Sequence, residues 1–123
     1  MRYADFLERM SAFDAVLHRR GFQRIDQAKP DYETDAPEVV YCLDLAQYAR
    51  DYPRLAEGDL QIDTADIVVK LRGNQLGVLI EGDELSDLAE RFDIVAPGAG
   101  SDLEEQVRVA AHQLDELLRA AHR

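Results

Sequence analysis

Ile67-Val68-Val69-Lys70-Leu71-Arg72-Gly73-Asn74-Gln75-Leu76-Gly77-Val78-Leu79-Ile80 is two apolar runs joined by two turn-forming residues. The Gly73-Asn74 pair predicts a two-residue β-hairpin loop, because such loops need backbone conformations that Gly and Asn tolerate. This loop pairs Arg72 with Gln75, Leu71 with Leu76, Val69 with Val78, and Ile67 with Ile80. The six apolar side chains of the last three pairs then share one face. A slip of one residue would break every pairing, so the register is well specified. The opposite face sets Val68, Lys70 and Arg72 against Gln75, Gly77 and Leu79, a mixed and partly wet surface. Leu60 and Ile62 are expected to start another strand leading into this pair.

Upstream, Tyr3, Phe6, Leu7, Met10, Phe13, Val16 and Leu17 recur at spacings of three and four and predict one helix over about 3–20. Arg19 and Arg20 suit the negative end of its dipole, and Gly21 suits a left-handed stop with Phe22 folding back. A short strand is expected over Phe22–Asp26, a loop over Gln27–Pro37, and a strand over Glu38–Leu45 with Val39, Tyr41, Leu43 and Leu45 on one face. The segment Gln47–Gly58 is ambiguous between a short helix and a break at Pro53.

Downstream, Asp83 is expected to cap a short helix over about 84–92, with Leu85, Leu88, Ala89 and Phe92 as its apolar stripe. Pro97-Gly98-Ala99-Gly100 reads as a connection. Ser101 with Glu104 matches a capping box that opens a long helix over about 102–121. In that helix Leu103, Val107, Ala110, Leu114, Leu117 and Ala121 span nearly three heptads, which serves either a core-facing helix or the seam of a homodimer. Terminal helices around antiparallel strands make the expected fold α+β, in one domain over 1–123.

The 123 residues include 25 Asp and Glu against 14 Lys and Arg, a net charge of −11. This balance argues against binding nucleic acid, which demands cations at phosphates. No run approaches the length of a membrane span. Asp5, Glu8 and Arg9 interrupt any secretory signal at the start, so a cytoplasmic protein is expected. Cys42 is the only cysteine; within Val39-Val40-Tyr41-Cys42-Leu43 it reads as a buried, inert thiol.

Catalytic and ligand motifs do not emerge. His18, His112 and His122 have no metal-ligand spacing, although His18 can pair with Asp14 one helical turn away. Ser11, Ser86 and Ser101 lie in no nucleophile elbow. The glycines before residue 101 resemble a phosphate loop, but Asp102, Glu104 and Glu105 follow and would repel a phosphate. Asp31-Tyr32-Glu33-Thr34-Asp35 starts like a calcium loop, yet Ala36 and Cys42 stand where its glycine and final acid belong. No catalytic residue, cofactor or metal is therefore assigned.

Charge is unevenly spread. Residues 1–30 carry a balance of +2, residues 31–66 of −8, and residues 67–123 of −5. The middle segment also holds four of the five tyrosines. Acids beside aromatic rings suit a surface that captures a cationic protein. The expected contact residues are Asp31, Tyr32, Glu33, Asp35, Glu38, Tyr48, Asp51, Tyr52, Glu57, Asp59, Asp63 and Asp66. The expected role is a non-enzymatic interaction protein with a basic protein partner, in the manner of bacterial immunity proteins that neutralise toxins. A secretion-type chaperone that binds an extended segment, as a monomer or through a helix-seam homodimer, is the alternative. A small ligand-binding domain or enzyme without a recognisable motif is a third reading.

Overall fold

The computed structural model describes residues 2–25, 37–56, 64–95 and 102–123. Its strands are β1 (Gln23–Ile25), β2 (Glu38–Asp44), β3 (Thr64–Arg72), β4 (Gln75–Ile80) and β5 (Asp83–Glu84). They form one antiparallel sheet in sequence order, each strand beside its neighbours in the chain. The hairpin has the expected pairing, from Arg72↔Gln75 to Ile67↔Ile80, and Gly73 has the positive φ of 59° that the loop demands. Val39, Tyr41 and Leu43 on β2 and Ala65, Ile67, Val69 and Leu71 on β3 turn to one face and are buried, as the two-residue period requires. Leu45 does not continue β2: it opens the next helix.

The helices are α1 (Tyr3–Arg9), α2 (Ser11–Arg19), α3 (Leu45–Asp51), α4 (Leu85–Arg91) and α5 (Leu103–Ala121), so the fold is α+β. The N-terminal helix divides at Met10, whose N–H bonds to Leu7 three residues back. Phe6, Met10, Phe13 and Leu17 are nevertheless all inaccessible to solvent, so the apolar stripe runs across the break. The helix ends as expected. Phe22 N–H bonds to Leu17 C=O and Gly21 N–H to His18 C=O, with Gly21 at φ 93°. Residues 60 and 62, expected to begin a strand, lie outside the described residues.

Two caps differ from expectation. Asp83 pairs with Ile80 in β5 and does not cap α4, whose N-cap is Glu84. The N-cap of α5 is Asp102, which accepts from Glu105 N–H at 2.8 Å. The Asp102 carboxylate serves an exposed first-turn donor, while the Glu105 carboxylate is held by Arg108 one turn on. Around α5, Val107, Ala110, Leu114, Leu117 and Ala121 are buried, and Leu103 is half-buried against the same core. The heptad face is therefore occupied by the chain's own sheet and α2.

Candidate functional site

The pleat that buries one side of β2, β3 and β4 presents the other side away from the core. Register places Ile25 beside Val40, Val40 beside Val68, and Val68 beside Leu79. These four aliphatic residues form a row across β1 to β4, and none of them belongs to the core cluster or packs against it. Ile25 is 46% exposed and the other three are half-buried. Isolated surface aliphatics are ordinary, but a contiguous row is the kind of surface that contacts another molecule.

Polar positions flank the row. On one side Glu38 pairs with Lys70 at 3.4 Å, opposite one another in the sheet. On the other side stand Cys42 and Asp66, also cross-strand partners. The Cys42 thiol donates to Asp66 Oδ1 at 2.9 Å, and Thr64 Oγ1 donates to the same oxygen at 3.1 Å. Beyond Leu79 the chain turns through Glu81 and Gly82 at φ 48° and 93°, and β5 brings Glu84 opposite Leu79. Glu81 N–H bonds to Asp66 C=O at 3.1 Å, which fixes the turn against β3.

The Leu79 end of the row is thus bordered by Asp66, Glu81 and Glu84, with Asp83 in the same turn. Arg91 reaches Asp83 at 3.6 Å, and among the described residues no cation lies within ion-pair distance of the other three. Burial raises the pKa of Glu81, and Asp66 and Asp83 add to the rise by like-charge repulsion, while the Tyr48 hydroxyl opposes it. Tyr48 comes to this corner from α3, on the core side. Its hydroxyl is buried and makes no hydrogen bond of normal geometry. It lies near enough to Glu81 and Asp83 for burial and their charges to hold its pKa well above the tyrosine range.

The expected contact residues fare unequally. Asp31, Tyr32, Glu33, Asp35, Glu57, Asp59 and Asp63 lie outside the described residues. Glu38 and Asp66 do share the open face, on opposite sides of the aliphatic row. Asp51 sits at the end of α3, where its carboxylate meets Arg50 at 3.5 Å and its carbonyl accepts from Arg123 N–H. Tyr48 and Tyr52 are a correction: they are 0% and 2% exposed, and the Tyr52 ring packs at a tilt against both Tyr48 and Phe22 inside the core. Rings this fully enclosed present no surface that could anchor a partner. Ile25, Val40, Glu81 and Glu84 were not among the expected residues. Only the strand order sets the first two beside the hairpin, and only the β4–β5 turn brings the last two together.

Chemistry of other kinds finds little support. Burial first, and then the Asp66 carboxylate, push the Cys42 thiol up to about 11, so it is a donor and not a nucleophile at neutral pH. Asp14 binds Tyr41 and Arg24 through its two oxygens, and His18 and His112 are exposed. Among the described residues no three His, Cys, Asp or Glu side chains gather to hold a metal ion, and no helix is long and apolar enough to cross a membrane. A groove of about 980 Å³ between α1 and the start of α5 is lined chiefly by Asp5, Glu8, Arg9, Glu104 and Arg108, which are surface charges without a buried polar anchor. Comparison with protein-family models, with curated proteins and with solved structures found no match to this chain.

Proposed function

We propose that the protein is a non-enzymatic interaction domain that holds a basic protein partner on the open face of its sheet. The observation that carries this reading is the Ile25–Val40–Val68–Leu79 row, aliphatic, contiguous and separate from the core. Burial of such a row supplies contact energy without direction, at about 25 cal/mol per Å². The charge of −11 supplies long-range attraction for a cationic partner and repels a second copy of the same chain. An immunity-type protein that neutralises a basic toxin fits this description.

The test is affinity capture at low salt from the native lysate, with the wild-type chain and a Val68→Lys, Leu79→Lys double variant run in parallel. Retention of one basic protein by the wild type and its loss from the variant supports the reading. Equal retention by both, or none by either, rejects it.

A further inference from the structure

The aliphatic row has two unlike ends. At the β1 end stands Ile25, the most exposed of the four. At the β4 end Leu79 is bordered by Glu84 across the strand pair, Glu81 two residues on, and Asp66 on the diagonal through Val68. Cross-strand neighbours lie about 5 Å apart and diagonal ones about 7–8 Å, so one side chain seated on Leu79 is within reach of Glu84 and Asp66, and Glu81 follows in the adjoining turn. Burial raises the pKa of Glu81, the Tyr48 hydroxyl opposes the rise, and Asp66 and Asp83 add to it, while among the described residues no cation lies within ion-pair distance of Asp66, Glu81 or Glu84. The buried Tyr48 hydroxyl, without a hydrogen bond of normal geometry, lies beside Glu81 and Asp83 on the core side of this corner.

We infer that the open face takes a partner segment whose aliphatic side chains lie along the Ile25–Leu79 row and which ends in an arginine or lysine seated among Asp66, Glu81 and Glu84. This inference rests on the open face being the contact surface and adds polarity to it. The row covers three inter-strand spacings, about 14 Å, which suits two to three turns of an amphipathic helix or about five extended residues. A guanidinium suits the seat best, because its five donors can serve several carboxylates at once. The carboxylates Asp66, Glu81 and Glu84 sit at only one end of the row, while Glu38 near its middle is already held by Lys70. The basic residue therefore belongs at the end of the segment and not at its centre.

The experiment uses the full chain and three fluorescein-labelled amphipathic model peptides of about 12 residues. One carries leucines at helical spacing with a terminal Arg-Arg, the second has Glu-Glu in that place, and the third keeps Arg-Arg but replaces the leucines by serine. Anisotropy titrations at low salt should show the first peptide binding at least about fivefold tighter than either of the others. The triple variant Asp66→Asn, Glu81→Gln, Glu84→Gln should remove the preference for Arg-Arg while leaving the leucine dependence. Equal binding of the Arg-Arg and Glu-Glu peptides, both lost in Val68→Lys, overturns the cation seat and leaves the face intact. Peptide binding that Val68→Lys does not change, or no binding at all, overturns the face reading as well. Sedimentation equilibrium closes the remaining route: a dimer that Val68→Lys dissolves would make a second copy the occupant and end the proposal.

Discussion

The Gln106 carboxamide of α5 takes the place of a strand partner for Leu76. Its Oε1 accepts the Leu76 N–H at 2.9 Å, and its Nε2 donates to Asn74 C=O at 2.6 Å. Gln106 is the one buried polar residue among the described residues, and both of its hydrogen bonds go to the tip of the β3–β4 hairpin. Gln106→Leu should therefore cost about 1–3 kcal/mol, because it orphans a donor and an acceptor against a covered edge. Urea unfolding of the two proteins measures it. Gln106→Glu keeps the acceptor but loses the donor at neutral pH. The introduced carboxyl should then have a raised pKa in the folded state, and part of the lost stability should return as pH falls and it gains a proton to donate.

Arg20 binds α2 to α5 by a fork on Asp115. Nε and Nη2 reach Oδ1 at 3.0 and 2.7 Å, and Nη2 also reaches the Asp115 carbonyl at 3.2 Å. Burial by itself would raise the Asp115 pKa, but Arg20 and Arg19 outweigh it and hold the carboxyl below its usual value. A carboxyl depressed in the folded state contributes stability that is fully present above its unfolded pKa of about 3.9 and is lost as pH falls through the lower folded value. Asp115→Asn should accordingly lower stability at pH 7 by about 1–2 kcal/mol, with the difference shrinking below about pH 4. Arg20→Lys should recover only part of the loss, since an ammonium cannot make the fork. Unfolding midpoints from pH 2.5 to 7 decide both points.

Cys42 should react slowly for a thiol that is not wholly buried. A pKa pushed up to about 11 from an ordinary 9.0 leaves roughly a hundredfold less thiolate at pH 8. Asp66→Asn removes the carboxylate that the thiol donates to, so alkylation by iodoacetamide should quicken, and its pH midpoint should move down. Burial, the largest cause of the rise, remains in the variant, so the shift should be partial. Unchanged kinetics would mean that the Cys42–Asp66 bond does not form in solution.

These relationships were legible in the sequence to different depths. The Gly73-Asn74 loop and the alternation on each side define a local pairing with one good register, and Val68 and Leu79 follow from it as an outward-facing pair. The Gly21 stop was equally readable, because only a few residue types accept that backbone. Met10 was not readable as a break, since the stripe through Phe6 and Phe13 is unchanged by it. Tyr48 and Tyr52 were misplaced because a tyrosine beside acids is the same sequence pattern whether its ring lies in the core or on the surface. Their helix carries a signal that identifies it: Asp44, three residues before Gln47, caps α3 through the Gln47 N–H at 3.1 Å. The row itself needs Ile25 and Val40 beside the hairpin, and strand order is a property of the whole sheet that no local spacing encodes.

Glu81 is the position where stability and the proposed binding should pull in opposite directions. With Gly82 it forms a two-residue loop with both φ values positive, a type that favours Asn-Gly. A glutamate at φ 48° is strained, and its charge is further disfavoured by burial and by Asp66 and Asp83. Glu81→Asn should therefore stabilise the fold by about 0.5–1 kcal/mol, read from the urea midpoint at constant slope. The same change removes one of the three carboxylates at the end of the aliphatic row, so the Arg-Arg peptide should lose about half or more of its advantage over the Glu-Glu peptide. A variant no more stable than wild type would show that the loop carries no strain. A more stable variant with the full preference for Arg-Arg would remove Glu81 from the seat, because the strained carboxylate would then have no ligand to account for it.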